Sequence, residues 1–393
     1  MDYNFDEIID RRNTNSLKYD FAAERGMPAD LLPLWVADMD FQAPPEVLEA
    51  LRSASRHGIF GYSESKEAYF HALAAWYERH FHWELRPEWL VKTPGVVYAI
   101  ATAIRAYTSP GDSVLIQQPV YYPFSQTIRV NERKLVNNPL VYENGTYRMD
   151  LEDFEQKVVE HGVKLFLLCS PHNPVGRVWR REELLALGAV CVRHQVLVVA
   201  DEIHADFTYP GFTHHVFANL HPSFRDLAIT CTAPSKTFNL AGLQISNIFI
   251  SNRELRTRFV REIHRSGFSQ VGTMGLVACQ AAYAHGGPWL EALKSYLADN
   301  LSFLREFLKE RLPQIELVEP EGTYLVWLDC RKLGLSEEQL QDLIVHKAKL
   351  WLDSGAIFGP EGEGFQRINI ACPRKVLEQA LEQLSQALDG GVA

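Results

Sequence analysis

Between about residues 88 and 250 the chain alternates short apolar runs with longer stretches in which apolar positions recur at helical spacing. The runs WLVKT (89–93), SVLIQQ (113–118), KLFLLCS (164–170), QVLVVADE (195–202), LAITCT (227–232) and SNIFIS (246–251) read as strands. VVYAIATAIRAYT (96–108) and REELLALGAVCVRH (181–194) read as helices. Val, Ile and Leu are nearly continuous within the runs, as strands covered on both faces require. The alternation therefore predicts an α/β fold with a mainly parallel sheet covered by helices. In the last hundred residues the pattern changes. A long helix (PWLEALKSYLADNLSFLREFLKERL) leads into the strand-like runs IELVEP, TYLVWLD and FQRINIA, and the amphipathic helix PRKVLEQALEQLSQAL follows. This predicts a smaller α+β unit, which the amino-terminal segment is expected to join. No repeat or Gly/Ser/Pro-rich linker separates the two, so the second unit must be woven into the first.

Composition narrows the function classes. A chain of 393 residues buries roughly three quarters of its unfolded surface and needs no disulfide scaffold. Its 6 cysteines are scattered, and no two stand in a C-x-x-C spacing. The opening MDYNFDEIIDRRN is acidic and polar where a secretory leader is basic and then apolar, and no apolar run reaches bilayer length. A cytoplasmic protein is expected. The formal charge of -10 supplies no general attraction to phosphate backbones or anionic lipid, so neither nucleic acid nor membrane is an expected partner.

In open α/β sheets ligands collect outside the carboxyl ends of the strands, so the polar residues ending the buried runs are the candidates. QVLVVADEIH ends in Asp201; a lone Asp there most often caps a turn. LAITCTAPSKTFNLAG places Lys236 beyond another strand, between Ser235 and Thr237, where a lysine is usually a solvated charge. WLVKTPGVVYAIATAI turns at Pro94 and Gly95 into a helix whose free N–H groups suit a phosphate, although a plain turn has the same pattern. SVLIQQPVYYPF brings in Tyr121 and Tyr122, able to stack on a planar group or to fill core. KLFLLCSPHNPVG delivers Asn173, by itself an ordinary Asn-Pro turn. His204, Asp206, His214 and His215 lack metal-ligand spacing, and GPEGEG (359–364) lacks the strand and helix of a dinucleotide loop, so no metal or nucleotide is expected.

Taken in chain order, the glycine turn at 95, aromatic at 121, N-P at 173, D-E at 201, S-K at 236 and the ending GAIFGPEGEGFQRIN with Arg367 resemble fold-type I pyridoxal-phosphate enzymes, the aspartate aminotransferase superfamily. The resemblance covers essentially the whole chain. It implies a large domain at 51–284 with a seven-stranded type of sheet, and a small domain from 1–50 and 285–393. It also implies pyridoxal 5′-phosphate as cofactor. Lys236 would carry the cofactor as a Schiff base and, once displaced, remove the substrate α-proton. Asp201 would keep the pyridine nitrogen protonated, Tyr121 would stack on the ring, and Asn173 would bond its phenolic oxygen. Gly95, Val96 and Val97, with Ser235, would cradle the phosphate. Arg367 would grip the substrate α-carboxylate, with Ala37 and Asn173 beside it.

Within that superfamily, NFDEIIDRRNTNSLKYD followed by LPLWVADMDF, His204 in DEIH, and APSKTFNLAGLQ are similar to the MalY/PatB branch of cystathionine and cysteine-S-conjugate β-lyases. His204, taken as a cofactor contact, stands where many transaminases have a tyrosine. Gln244 stands where many have a phosphate-binding arginine, which weakens the phosphate cup. Tyr62, in GIFGYSE, is the candidate that compensates: the resemblance has it reach the phosphate of a neighbouring subunit, implying a homodimer with shared sites. The implied reaction is α,β-elimination from a cysteine thioether, as in methionine biosynthesis, with Tyr121 or Tyr62 as possible proton donor to the leaving sulfur. The alternatives are an aminotransferase on the same scaffold and a lyase with an added regulatory, protein-binding role.

Overall fold

The computed structural model describes residues 3–390. Seven strands form the main sheet: β1 (Leu90–Thr93), β2 (Ser113–Ile116), β3 (Lys134–Asn137), β4 (Leu165–Cys169), β5 (Leu197–Asp201), β6 (Ala228–Thr232) and β7 (Ser246–Phe249). Their order is β1-β7-β6-β5-β4-β2-β3. β7 runs antiparallel to both of its neighbours, and the other pairings are parallel. The apolar runs do what strands buried on both faces require. In β4, Leu165, Leu167 and Cys169 join one core cluster with the helix Val96–Tyr107, while Phe166 and Leu168 join a second with Leu184 and Leu187 of the helix Arg181–Arg193. Each successive side chain thus seals a different helix layer onto the sheet.

Six of the seven strands coincide with runs read from the sequence. β3 does not, for a physical reason: it lies at the sheet edge, and of its residues only Val136 is buried. An edge strand covered on one side carries too few apolar positions to stand out.

The smaller sheet contains β8 (Glu316–Val318), β9 (Leu325–Asp329), β10 (Asp353–Ser354) and β11 (Phe365–Asn369), antiparallel in the order β8-β9-β11-β10. The amino-terminal segment reaches it through a short parallel pairing of Leu32–Pro33 with Leu350–Trp351. The helix Pro45–His57 instead packs along Thr273–His285. A division after residue 50 therefore falls inside a helix. No described helix is long and apolar enough to cross a membrane.

The sheet order also fixes where chemistry can collect. β1 and β6 point the same way because β7, between them, is antiparallel to both, with Thr93 opposite Ser246 and Thr232 opposite Asn247. Gly95, Tyr121, Asn173, Asp201 and Lys236 consequently all leave the sheet at one edge, the carboxyl edge of the parallel strands.

Candidate active site

Lys236 lies in the short helical turn Pro234–Thr237 that follows β6. Its Nζ donates to the carbonyl of Ala37 at 2.7 Å, and the Tyr324 hydroxyl donates to the same oxygen at 3.1 Å. Burial brings the lysine down from 10.5 to about 8; Asp38 and Asp201 oppose this by favouring the charged form, and Arg367 adds to it. A lysine so placed gives up its proton near neutral pH, as an amine nucleophile or base must.

Asp201 ends β5 at the centre of the same edge and is buried. The Ile203 N–H donates to its Oδ1 at 3.3 Å. Burial raises its pKa from 3.8 to about 7, against the pull of that N–H and of the Lys236 charge. A buried carboxyl this poorly compensated is suited to a cationic partner.

Arg367, on β11, is almost fully buried. It donates to Asn173 Oδ1 at 3.0 Å and to the Trp35 carbonyl at 2.7 Å, and it is ion-paired with Asp353, which faces it across the β10–β11 pairing. Its guanidinium lies 4.9 Å from the Phe358 ring centroid, and its Nε has no hydrogen-bond partner. The fork is thus rigidly held with donor capacity in reserve, the arrangement that bidentate carboxylate binding uses. The Tyr121 N–H donates to the Asn173 carbonyl at 3.0 Å, which ties the loop after β2 to the loop after β4. Burial pushes the Tyr121 phenol well above its ordinary value. His204 is buried with its edge against Tyr324 and an unpartnered Nδ1; burial, then the charges of Lys236 and Arg367, hold it neutral.

Gly95 precedes the helix Val96–Tyr107 and provides no side-chain cap, and a Cβ there would project into open space. The first N–H groups of that helix therefore face the sheet edge without intrahelical partners. Ser235, half-buried after β6, flanks the start of β7 from the other side. Tyr62 joins none of these groups within the chain: it is 97% exposed. Its loop is tied to its own chain by a 2.7 Å hydrogen bond between Ser63 and Thr273. Gln244 is exposed, and its amide donates to the Ala241 carbonyl at 3.3 Å, so it brings no positive charge to the cradle.

Several contacts were not evident from the sequence, which offered Ala37 only as a neighbour of the substrate carboxylate. The strap from Trp35 to Phe41, which carries the Ala37 carbonyl, is clamped from two sides. Asn369 donates to the carbonyls of Val36 (2.7 Å) and Asp38 (2.6 Å), and Asn239 donates to those of Met39 (3.0 Å) and Phe41 (2.8 Å). Beneath it the fully buried Lys18 pairs with Asp40 at 2.7 Å, and Arg11 pairs with both Asp38 and Asp40. Asp206, weighed above only as a metal ligand, accepts from Thr237 Oγ1 at 2.6 Å and from Trp76 Nε1 at 3.0 Å, steadying the turn that carries Lys236. His214 is likewise bonded to Glu202, at 3.0 Å.

A seven-stranded, mainly parallel sheet with a lysine, a carboxyl, an asparagine and a buried arginine at its carboxyl edge defines a class: enzymes of the aminotransferase fold. The model of the family aminotransferase class I and II matches residues 29–384, and the chain belongs to that family. It is 43% identical over 385 residues to cystathionine β-lyase PatB of Bacillus subtilis, covering 98% of this chain and all of that one. Among solved structures it is similar to cystalysin of Treponema denticola, which contains a pyridoxal 5′-phosphate cofactor. There the TM-score is 0.96 and the identity 37%, over 99% of this chain and 100% of that one. A carbon–sulfur lyase of Staphylococcus hominis with the same cofactor gives a TM-score of 0.92 at 35% identity, over 99% and 98% of the two chains. The residues present fit that cofactor. The uncompensated Asp201 suits a pyridinium nitrogen, the open cradle at Gly95 suits a phosphate, and Lys236 suits the aldehyde.

Proposed function

We propose that this protein is a pyridoxal-phosphate-dependent carbon–sulfur β-lyase that cleaves cystathionine or other cysteine S-conjugates to a thiol, pyruvate and ammonia. The observation that carries the reading is the convergence, at one sheet edge, of a half-buried lysine whose pKa is brought down to about 8, a buried carboxyl and an arginine fixed by Asp353 and Asn173. The choice of elimination over amino transfer follows the extended similarity to lyases.

When bound, pyridoxal 5′-phosphate supplies a conjugated electron-withdrawing ring that stores the electron pair released at the substrate α-carbon. Asp201 would hold the proton on the ring nitrogen, and Tyr121, with Asn173 and His204, would line the ring. Gly95, Val96, Val97 and Ser235 would hold the phosphate. Arg367 binds the substrate α-carboxylate in its planar fork and so orients the α-hydrogen, with Ala37 lining the same space. Lys236, bonded here to the Ala37 carbonyl, would hold the cofactor through its amine, and as a free amine it would take the substrate α-proton. The carbon–sulfur bond at the β-carbon then breaks, the sulfur departs with its electron pair, and Tyr121 or Tyr62 returns a proton to it. The released enamine hydrolyses to pyruvate and ammonia.

The exposed Tyr62, beside Ile59 (73% exposed) and Phe60 (62% exposed), supports a homodimer in which this loop covers the site of a second copy. Six free, buried cysteines suit a reducing cytoplasm.

Purified protein incubated with cystathionine in the absence of any keto acid is expected to release pyruvate and a free thiol in equal amounts. Product formation that requires an added keto acid, with no thiol released, would make the protein an aminotransferase instead.

A further inference from the structure

Over the ring of Trp35 lies a guanidinium that the chemistry above does not use. Trp35 faces two ways. Its carbonyl accepts from Arg367 at 2.7 Å, while its ring stacks on Trp351 with centroids 4.5 Å apart and planes at 10°. Over that ring, 5.0 Å from its centroid, sits the guanidinium of Arg25. The stack restrains an arginine that would otherwise move freely, since a cation held over indole is attracted to the ring face. Arg25 is exposed and makes neither a salt bridge nor a side-chain hydrogen bond among the described residues.

Tyr122 ties Arg25 to the substrate site. It packs edge-on against Phe358, the ring that also underlies Arg367. Burial raises its phenol and Asp353 adds to this, whereas the charges of Arg367 and Arg25 both act in the opposite sense, so Tyr122 lies in the field of both guanidiniums. Two cations are therefore joined by a single tryptophan. Arg367 is assigned to the α-carboxylate, which leaves Arg25 as a positioned, unpaired fork one tryptophan away from that group.

We infer that Arg25 binds a carboxylate at the far end of the thioether and sets the substrate class: cysteine conjugates whose leaving thiol carries an acid group, ahead of plain S-alkyl cysteines. This rests on the lyase reading. The planar fork matches a carboxylate in two-point contact, and the indole beneath it lowers the ordering cost of that contact.

The experiment compares steady-state turnover of cystathionine, which carries a distal carboxylate, with that of S-methylcysteine, which does not, for the wild-type holoenzyme, R25Q and R25K. The ratio of kcat/KM for cystathionine to that for S-methylcysteine is expected to fall roughly tenfold in R25Q, through KM, with partial recovery in R25K. An unchanged ratio overturns the inference, whether both substrates are processed normally or both suffer equally, because a merely structural role lowers both together. Should the wild type release pyruvate from neither thioether, the lyase reading fails and this assignment falls with it.

Discussion

Asp201→Asn separates the cost of a buried charge from the benefit of its partner. In the cofactor-free protein, burial raises the Asp201 carboxyl from 3.8 to about 7. Between those values the folded state keeps a proton that the unfolded chain has already released. Stability therefore falls as pH rises through this window, because the folded state binds more protons than the unfolded one. At 1.36 kcal/mol for each pH unit, the interval from 3.8 to about 7 corresponds to a loss of roughly 4 kcal/mol by pH 8. Asparagine keeps the size of the side chain and cannot ionise. Urea unfolding of both cofactor-free proteins from pH 4 to pH 8 should therefore show D201N gaining on the wild type as pH rises, by up to roughly 4 kcal/mol. Titrating groups that do not sense Asp201 cancel in the difference, whereas Lys236 loses a favourable charge in D201N and works against the gain. Adding cofactor should reverse the ranking, since only the carboxylate can pair with a protonated ring nitrogen. Identical pH slopes for the two cofactor-free proteins would refute the argument that burial, uncompensated, is what sets Asp201.

Arg367→Lys keeps the charge but loses the fork that reaches Asn173, the Trp35 carbonyl and Asp353, so KM for amino-acid substrates should rise roughly 30-fold or more in steady-state assays. Asp206→Asn gives up a carboxylate that accepts from both Thr237 and Trp76; chemical unfolding should show a loss of about 1–3 kcal/mol, with a lower turnover number as the Lys236 turn loosens.

The fold was legible where burial was complete. β4 and β6 are buried along their whole length, so their runs could be read directly. β3 escaped because an edge strand needs little apolar surface, and the reversed direction of β7 left no trace because its residues, buried on both faces, look like those of a parallel strand. Within the site, Asp201 and Lys236 were findable as polar residues ending buried runs. Asp353 was not, because it meets Arg367 only through the antiparallel pairing of β10 with β11, and nothing in their spacing encodes that register. The same holds for the Ala37 carbonyl: backbone acceptors carry no sequence signal, and this one reaches Lys236 across 199 positions. Asp206 was visible as a residue but not in its role, since its partners Trp76 and Thr237 come from distant segments.

The claim on which the rest depends is that the Lys236 nitrogen carries the cofactor. Reduction of the holoenzyme with borohydride, followed by digestion and peptide mapping, should place the whole pyridoxyl label on the peptide containing Lys236, and K236A should retain none. A label on another lysine, or a wild-type protein that takes up none, would contradict the account.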